Sequence, residues 1–178
     1  DIWLAAGSGR YSSQPSHPFR TATIDHTMCG KLECAPEERW LGADLALYSV
    51  TFNNHVALDV RTLEAYKAFR LEAEAKGFRH FLEVFDPNAM GAHPPADLAR
   101  FINDHIVRTL AGVTSAGRPI FLNIPSHGPA AIESLARYDK SLIVGILGGS
   151  SGTTFDAFNM LWEAKKYGAR VALYGRKI

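Results

Sequence analysis

The sequence predicts an α/β fold of parallel strands, a (β/α) TIM barrel that 178 residues leave incomplete. Three observations lead there. From Leu45 onward, short apolar runs alternate with helical patterns, and a helix in each crossover makes the joined strands parallel. The run Leu142–Leu147 carries no polar side chain, as expected of a strand covered on both faces. The last two strands end in glycine-bearing loops, at the strand ends where such folds place ligands.

Taken in order, Ile2–Ala6 reads as a strand, and the segment from Gly7 to Asp44 shows no clear helix. Leu45–Thr51 is the second strand. A helix over Leu58–Lys76 follows, with Leu63, Tyr66, Phe69 and Ala73 spaced by three and four into one buried stripe, and Gly77 closes it. Phe81–Phe85 is a strand whose following loop holds Asp86-Pro87-Asn88 and Pro94-Pro95. The helix Ala96–Gly112 turns Leu98, Phe101, Ile102, Ile106 and Leu110 inward. Pro119–Ile124 is a strand, and Pro129 suits the first turn of the helix Pro129–Tyr138. Thr153–Tyr167 is a helix with Phe155, Phe158, Leu161 and Trp162 along one side, ended by Gly168, and Val171–Tyr174 is the last strand. That makes six strands, where a full barrel has eight in about 250 residues. Residues 1–178 therefore read as one barrel domain, a fragment of a longer barrel.

Composition narrows the partners. The chain is 47% hydrophobic and 21% charged with a net charge of +1, which suits a globular domain and favours neither nucleic acid nor an anionic membrane. No apolar run is long enough to span a bilayer, and the N-terminal stretch lacks a secretory pattern. Cys29 and Cys34 are too few for a disulfide framework, so a cytoplasmic setting is expected. A homo-oligomer is compatible with all of this.

Five constellations carry chemistry. Gly148-Gly149-Ser150-Ser151-Gly152-Thr153-Thr154 joins an apolar strand to a helix. Its glycines let backbone amides approach an anion, yet the P-loop lysine is missing. Tyr174-Gly175-Arg176-Lys177 ends the next strand, and Arg176 can offer a charge-assisted fork to phosphate. Gly148, Gly149, Ser150, Gly175 and Arg176 together form the expected phosphate site. Glu83 stands in the apolar strand Phe81–Phe85, where a carboxylate is costly unless paired or functional. It is a general acid or base with a raised pKa, or a structural ion-pair partner. Asn123 is the polar residue of its strand. His127 lies past that strand's end and serves proton transfer or faces solvent. Lastly, Asp25, His26, Cys29, Cys34 and His17 cluster in one stretch. These are possible metal ligands, but the spacing His26-x₂-Cys29-x₄-Cys34 is not a strong zinc pattern, so a polar loop over the barrel mouth is the favoured reading and no metal is expected. Ser8, Arg10 and Tyr11 are weaker candidates for substrate contact. No G-x-S-x-G elbow supports a serine triad.

On these residues the chain resembles the class I aldolase superfamily of (β/α) barrels. Within it lies the branch of archaeal-type fructose-bisphosphate and tagatose-bisphosphate aldolases, and more narrowly an uncharacterised aldolase-like group. The stretch Val144-Gly145-Ile146-Leu147-Gly148-Gly149, the helix after it and Val171-Ala172-Leu173-Tyr174-Gly175-Arg176 are similar to that family's strand seven, helix seven and strand eight, which bind a substrate phosphate. The resemblance implies a carbon–carbon lyase without cofactor, with Glu83 in the place of a strand-five glutamate. It also implies a Schiff-base lysine on strand six, where this chain has Asn123, and asparagine cannot form an iminium. Two expectations follow. One is an aldolase-like barrel acting on a small phosphorylated sugar or keto acid through Glu83, Asn123 and His127. The other is a non-catalytic barrel that binds a phosphorylated metabolite as sensor or scaffold.

Overall fold

The computed structural model describes residues 2–3, 12–90, 94–148 and 152–175. Its elements run β1 (Ile2–Trp3), β2 (His17–Pro18), α1 (Ile24–Cys29), β3 (Leu45–Thr51), α2 (Val56–Ala75), β4 (Arg79–Phe85), α3 (Leu98–Thr109), β5 (Leu122–Asn123), α4 (Pro129–Tyr138), β6 (Gly145–Leu147), α5 (Thr154–Lys166) and β7 (Val171–Leu173). The β-α alternation from Leu45 is the one the sequence predicts.

The barrel is not formed. β3, β4 and β5 make a three-stranded parallel sheet, and β6 and β7 a two-stranded parallel one. A parallel bridge between Ile124 and Ile146 and the bonds Leu122 N–H to Ile143 O (2.8 Å) and Ile124 N–H to Gly145 O (3.0 Å) join the two. The parallel strands thus follow one another in chain order, but among the described residues they are too few to close into a TIM barrel. The first strand departs from the expected parallel set: β1 pairs antiparallel with β2, Ile2 opposite Pro18 and Trp3 opposite His17.

Right-handed crossovers in a sequential sheet put the helices on one face. Tyr48, Val50, Leu82, Val84, Leu122, Val144 and Ile146 turn into the core that they share with α2 to α5, each at most 2% exposed. Tyr48 packs its ring 5.3 Å from Tyr66 and 4.6 Å from Phe69 of α2. Side chains alternate along a strand, so Ser49, Thr51, Glu83 and Asn123 belong to the opposite face.

Helix α5 divides the side on which its spacing groups Phe155, Phe158, Leu161 and Trp162. Ala164 is buried and Leu161 half-buried, while Phe155, Phe158 and Trp162 stand exposed. The helix carries two apolar faces, and periodicity alone does not say which one meets the sheet.

Cys29 and Cys34, too few for a disulfide framework, form a single disulfide with their Cα atoms 6.0 Å apart. The six-residue helix α1, capped by Thr23 and ended at left-handed Gly30 (φ 76°), brings Cys29 back toward Cys34. Asp25 fixes this stretch: its carboxylate holds Lys76 Nζ at 2.5 Å and accepts from Cys34 N–H at 3.3 Å. That ion pair with Lys76 keeps the Asp25 carboxyl below its ordinary range.

Candidate functional site

The parallel register sets Ser49 opposite Glu83 and Glu83 opposite Asn123, so three neighbouring strands present one polar row. Ser49 Oγ donates to Glu83 Oε2 at 3.0 Å, and Asn123 Nδ2 donates to Glu83 Oε1 at 2.9 Å. The row is buried: Ser49 is 4%, Glu83 8% and Asn123 1% exposed. Toward the amino ends of the strands it rests on an apolar row in which Leu47 opposes Phe81 and the Phe121 ring stacks on Phe81, centroids 4.6 Å apart. Toward the carboxyl ends Thr51 opposes Phe85.

Two atoms of this region are left over. Among the described residues, Asn123 Oδ1 and Thr51 Oγ1 are buried without a hydrogen-bond partner, which native interiors rarely tolerate. Among the described residues, Glu83 is hydrogen-bonded by the neutral groups of Ser49 and Asn123. Burial therefore raises its pKa, and the Ser49 and Asn123 bonds oppose that rise without cancelling it. Burial thus favours the protonated form of this carboxyl, which suits it to proton exchange, and the spare amide oxygen offers an acceptor beside it.

His127 sits apart from the row. Its Nε2 donates to Asp86 Oδ1 at 2.7 Å, and its ring borders the groove between α3 and α4, near Asp97, Asn103 and Ser134. No hydrogen bond among the described residues joins it to Glu83. Asp86, in the loop after the Glu83 strand, is thus the partner of His127.

The glycine-bearing ends divide. Gly148 N–H donates to Leu173 O at 2.8 Å, and a Cβ on Gly148 would lie 2.4 Å from the Tyr174 ring. Its lack of a side chain is used by strand packing. Gly175 has nothing within 4 Å of an added Cβ. Gly149, Ser150 and Arg176 lie outside the described residues, as do Ser8, Arg10, Tyr11, Ser151 and Lys177. Thr153 caps α5: it accepts from Asp156 N–H at 3.2 Å, and Asp156 accepts from Thr153 N–H at 2.7 Å. His26 binds Thr23 Oγ1 through Nδ1 at 2.9 Å.

The sequence reading missed the clamp that holds the strand ends. Asp59 accepts from Asn53 N–H (2.9 Å) and His55 N–H (3.0 Å). Asn53 Nδ2 donates to Asn88 Oδ1 at 3.1 Å, and Ala89 N–H donates to Asn53 Oδ1 at 2.7 Å. Asn88 Oδ1 also accepts from Ser16 N–H at 3.0 Å, and its Nδ2 donates to Gln14 O at 2.9 Å. Asn53 and Asn88 each fall just after a strand, where asparagine serves turn backbones. That position was the available signal.

The aldolase and lyase expectation is corrected here as well. The strand that would carry a nucleophilic lysine carries Asn123, whose amide is bonded to Glu83 and cannot form an iminium. Among the described residues, no group of three or more His, Cys, Asp and Glu side chains is placed to hold a metal ion. None of the described helices is long and apolar enough to cross a membrane. Compared with known proteins, the chain matches no protein-family model and no curated protein.

Proposed function

We propose that this chain binds a small phosphorylated metabolite at the carboxyl edge of its parallel strands, with Glu83 exchanging a proton with the ligand's carbon skeleton. The observation that carries the reading is the buried Glu83 carboxyl, bonded by Ser49 and Asn123 and flanked by the unsatisfied Asn123 Oδ1. A buried acceptor without a donor beside a carboxyl that favours its neutral form suits a ligand hydroxyl or enol. The phosphate would lie toward Gly175, past the end of the last strand, and Arg176 follows Gly175 in the sequence. The Cys29–Cys34 bond favours an oxidising compartment over the cytoplasmic setting read from the cysteine count.

The test is calorimetric titration with dihydroxyacetone phosphate, pyruvate and inorganic phosphate, followed by NMR in deuterated water. Dihydroxyacetone phosphate should bind and exchange a carbon-bound proton for deuterium. Glu83→Gln should abolish the exchange, and Arg176→Ala should weaken binding of both phosphates. A second reading, a non-catalytic sensor, is favoured by one feature: both Glu83 oxygens are already engaged. Binding without exchange would select it. Absence of binding by all three probes would refute both readings.

A further inference from the structure

Helix α5 has two sides of unlike company. Leu161 and Ala164 pack into the core, and Ala164 is 2% exposed. On the opposite side Phe155, Phe158 and Trp162 are 77%, 67% and 63% exposed. Spacings of three and four residues set these rings in one line along the helix. Lys166 prolongs the line, its ammonium 5.2 Å from the Trp162 ring centroid. Aromatic side chains exposed to this degree show roughly 100–150 Å² each, about 400 Å² together. Contiguous apolar patches of that size on a protein surface are often functional.

We propose that this stripe is a self-association surface on which α5 of a second copy lies antiparallel. Two features select that occupant and that direction. The first is charge: the first turn of α5 holds acidic Asp156, and its last turn holds basic Lys165 and Lys166. Antiparallel pairing sets the basic turn of each helix beside the acidic turn of the other. Parallel pairing would stack Lys165 and Lys166 on their own copies, like charge on like. The second is area: two stripes bury about 800 Å², and the stems of Asn159, Glu163 and Lys166 bring the pair to roughly the 1,000 Å² that a specific interface needs. Such an interface lies at the lower end of the size range, so the dimer forms reversibly with concentration.

Sedimentation equilibrium of the intact chain, from low-micromolar to hundred-micromolar protein, tests this. The chain should pass from monomer to dimer, and Trp162→Glu should weaken dimerisation at least about tenfold. Trp162 is exposed, so the variant should keep the wild-type circular dichroism and melting temperature. Asn159→Cys places a thiol beside the two-fold axis. With the only natural cysteines joined to each other, mild oxidation should link two copies of this variant covalently. A monomer at every concentration overturns the proposal, and so does a dimer that Trp162→Glu leaves unchanged. A dimer whose Asn159→Cys form does not cross-link overturns the antiparallel arrangement. Binding of the chain to phosphatidylcholine vesicles, lost in Trp162→Glu and without any dimer, would give the stripe to a lipid surface instead.

Discussion

Asn123 Nδ2 donates to Glu83 Oε1 at 2.9 Å across adjoining parallel strands, while the other end of the same amide has no partner. The pair can meet two protonation states with one rotation. An ionised carboxylate takes the N–H, and a protonated carboxyl can donate its O–H to a flipped Oδ1. In either state one amide atom remains unpaired, so the row keeps one vacant hydrogen-bonding position whatever the charge on Glu83.

Glu83→Gln should therefore stabilise the fold while removing its chemistry. Burial raises the Glu83 pKa above its ordinary 4.5, so the native state holds a proton that the unfolded chain has released. Stability then falls as pH rises from about 4.5 to the raised native value, and stays lowered above it. Glutamine does not titrate, and its Nε2 can donate to Asn123 Oδ1. Above that window the variant should melt higher than wild type by about 3 °C, and below it the two should converge. Scanning calorimetry between pH 4 and 8 reads this directly. A variant that melts lower at all pH values would show the carboxylate to be a structural anchor.

Much of the frame was legible in the sequence, and the reasons differ by element. The α2 stripe was readable because Tyr66, Phe69 and Ala73 repeat with the helical period and are all buried. The polar row was readable one residue at a time: Glu83 and Asn123 stood out as polar positions in apolar strands. That they touch was not readable, because register comes from crossover geometry and not from either strand. Barrel closure was inferred from local alternation, which does not count how many strands pair. The Cys29–Cys34 bond was hidden because it depends on the short helix α1, whose six residues lack a periodic signal.

Gly145 should tolerate no side chain. A Cβ there would stand 2.3 Å from Leu122 O and 3.1 Å from Val171 Cβ, and the first of these is backbone. Gly145→Ala should push β6 away from β5 and weaken the bonds that join the two parallel sheets, at a cost of roughly 2–3 kcal/mol. Urea denaturation measures it. Gly175→Ala, where the added Cβ meets nothing within 4 Å, is the matched control and should leave the midpoint nearly unchanged.

Breaking the disulfide should loosen the region before β3. It closes a loop of about six residues, which the chain-entropy account values at about 2 kcal/mol. Cys34→Ser should lower the melting temperature by about 4–8 °C. Adding dithiothreitol should do the same to wild type and nothing further to the variant. Identical melting of all samples would mean that non-covalent contacts, the Asp25–Lys76 ion pair and the Ile24–Glu72 hydrogen bond among them, hold this stretch without the disulfide.

His80 should give the fold a stability loss on the acid side. Its Nε2 meets Tyr66 Oη at 2.9 Å in the interior, and the ring is 3% exposed. Burial pushes its pKa from 6.5 down to about 4, with Arg70 adding to the effect. The unfolded chain therefore binds a proton at a pH where the native state does not. Stability is complete above pH 6.5 and declines as pH falls toward 4, by roughly 3 kcal/mol at most. This slope is opposite in sign to that of Glu83, so the two separate only through variants. His80→Gln keeps a partner for the Tyr66 hydroxyl without titrating, and the Glu83 slope is common to both proteins, so the urea midpoint of wild type should fall relative to that of the variant from pH 6.5 to 5. The comparison belongs above pH 4.5, because carboxylates such as Asp139, held down to about 2 by Ser141 and Arg118, add their own acid loss lower down. Parallel declines in both proteins would place the sensitivity in the carboxylates and leave the His80–Tyr66 pair as packing.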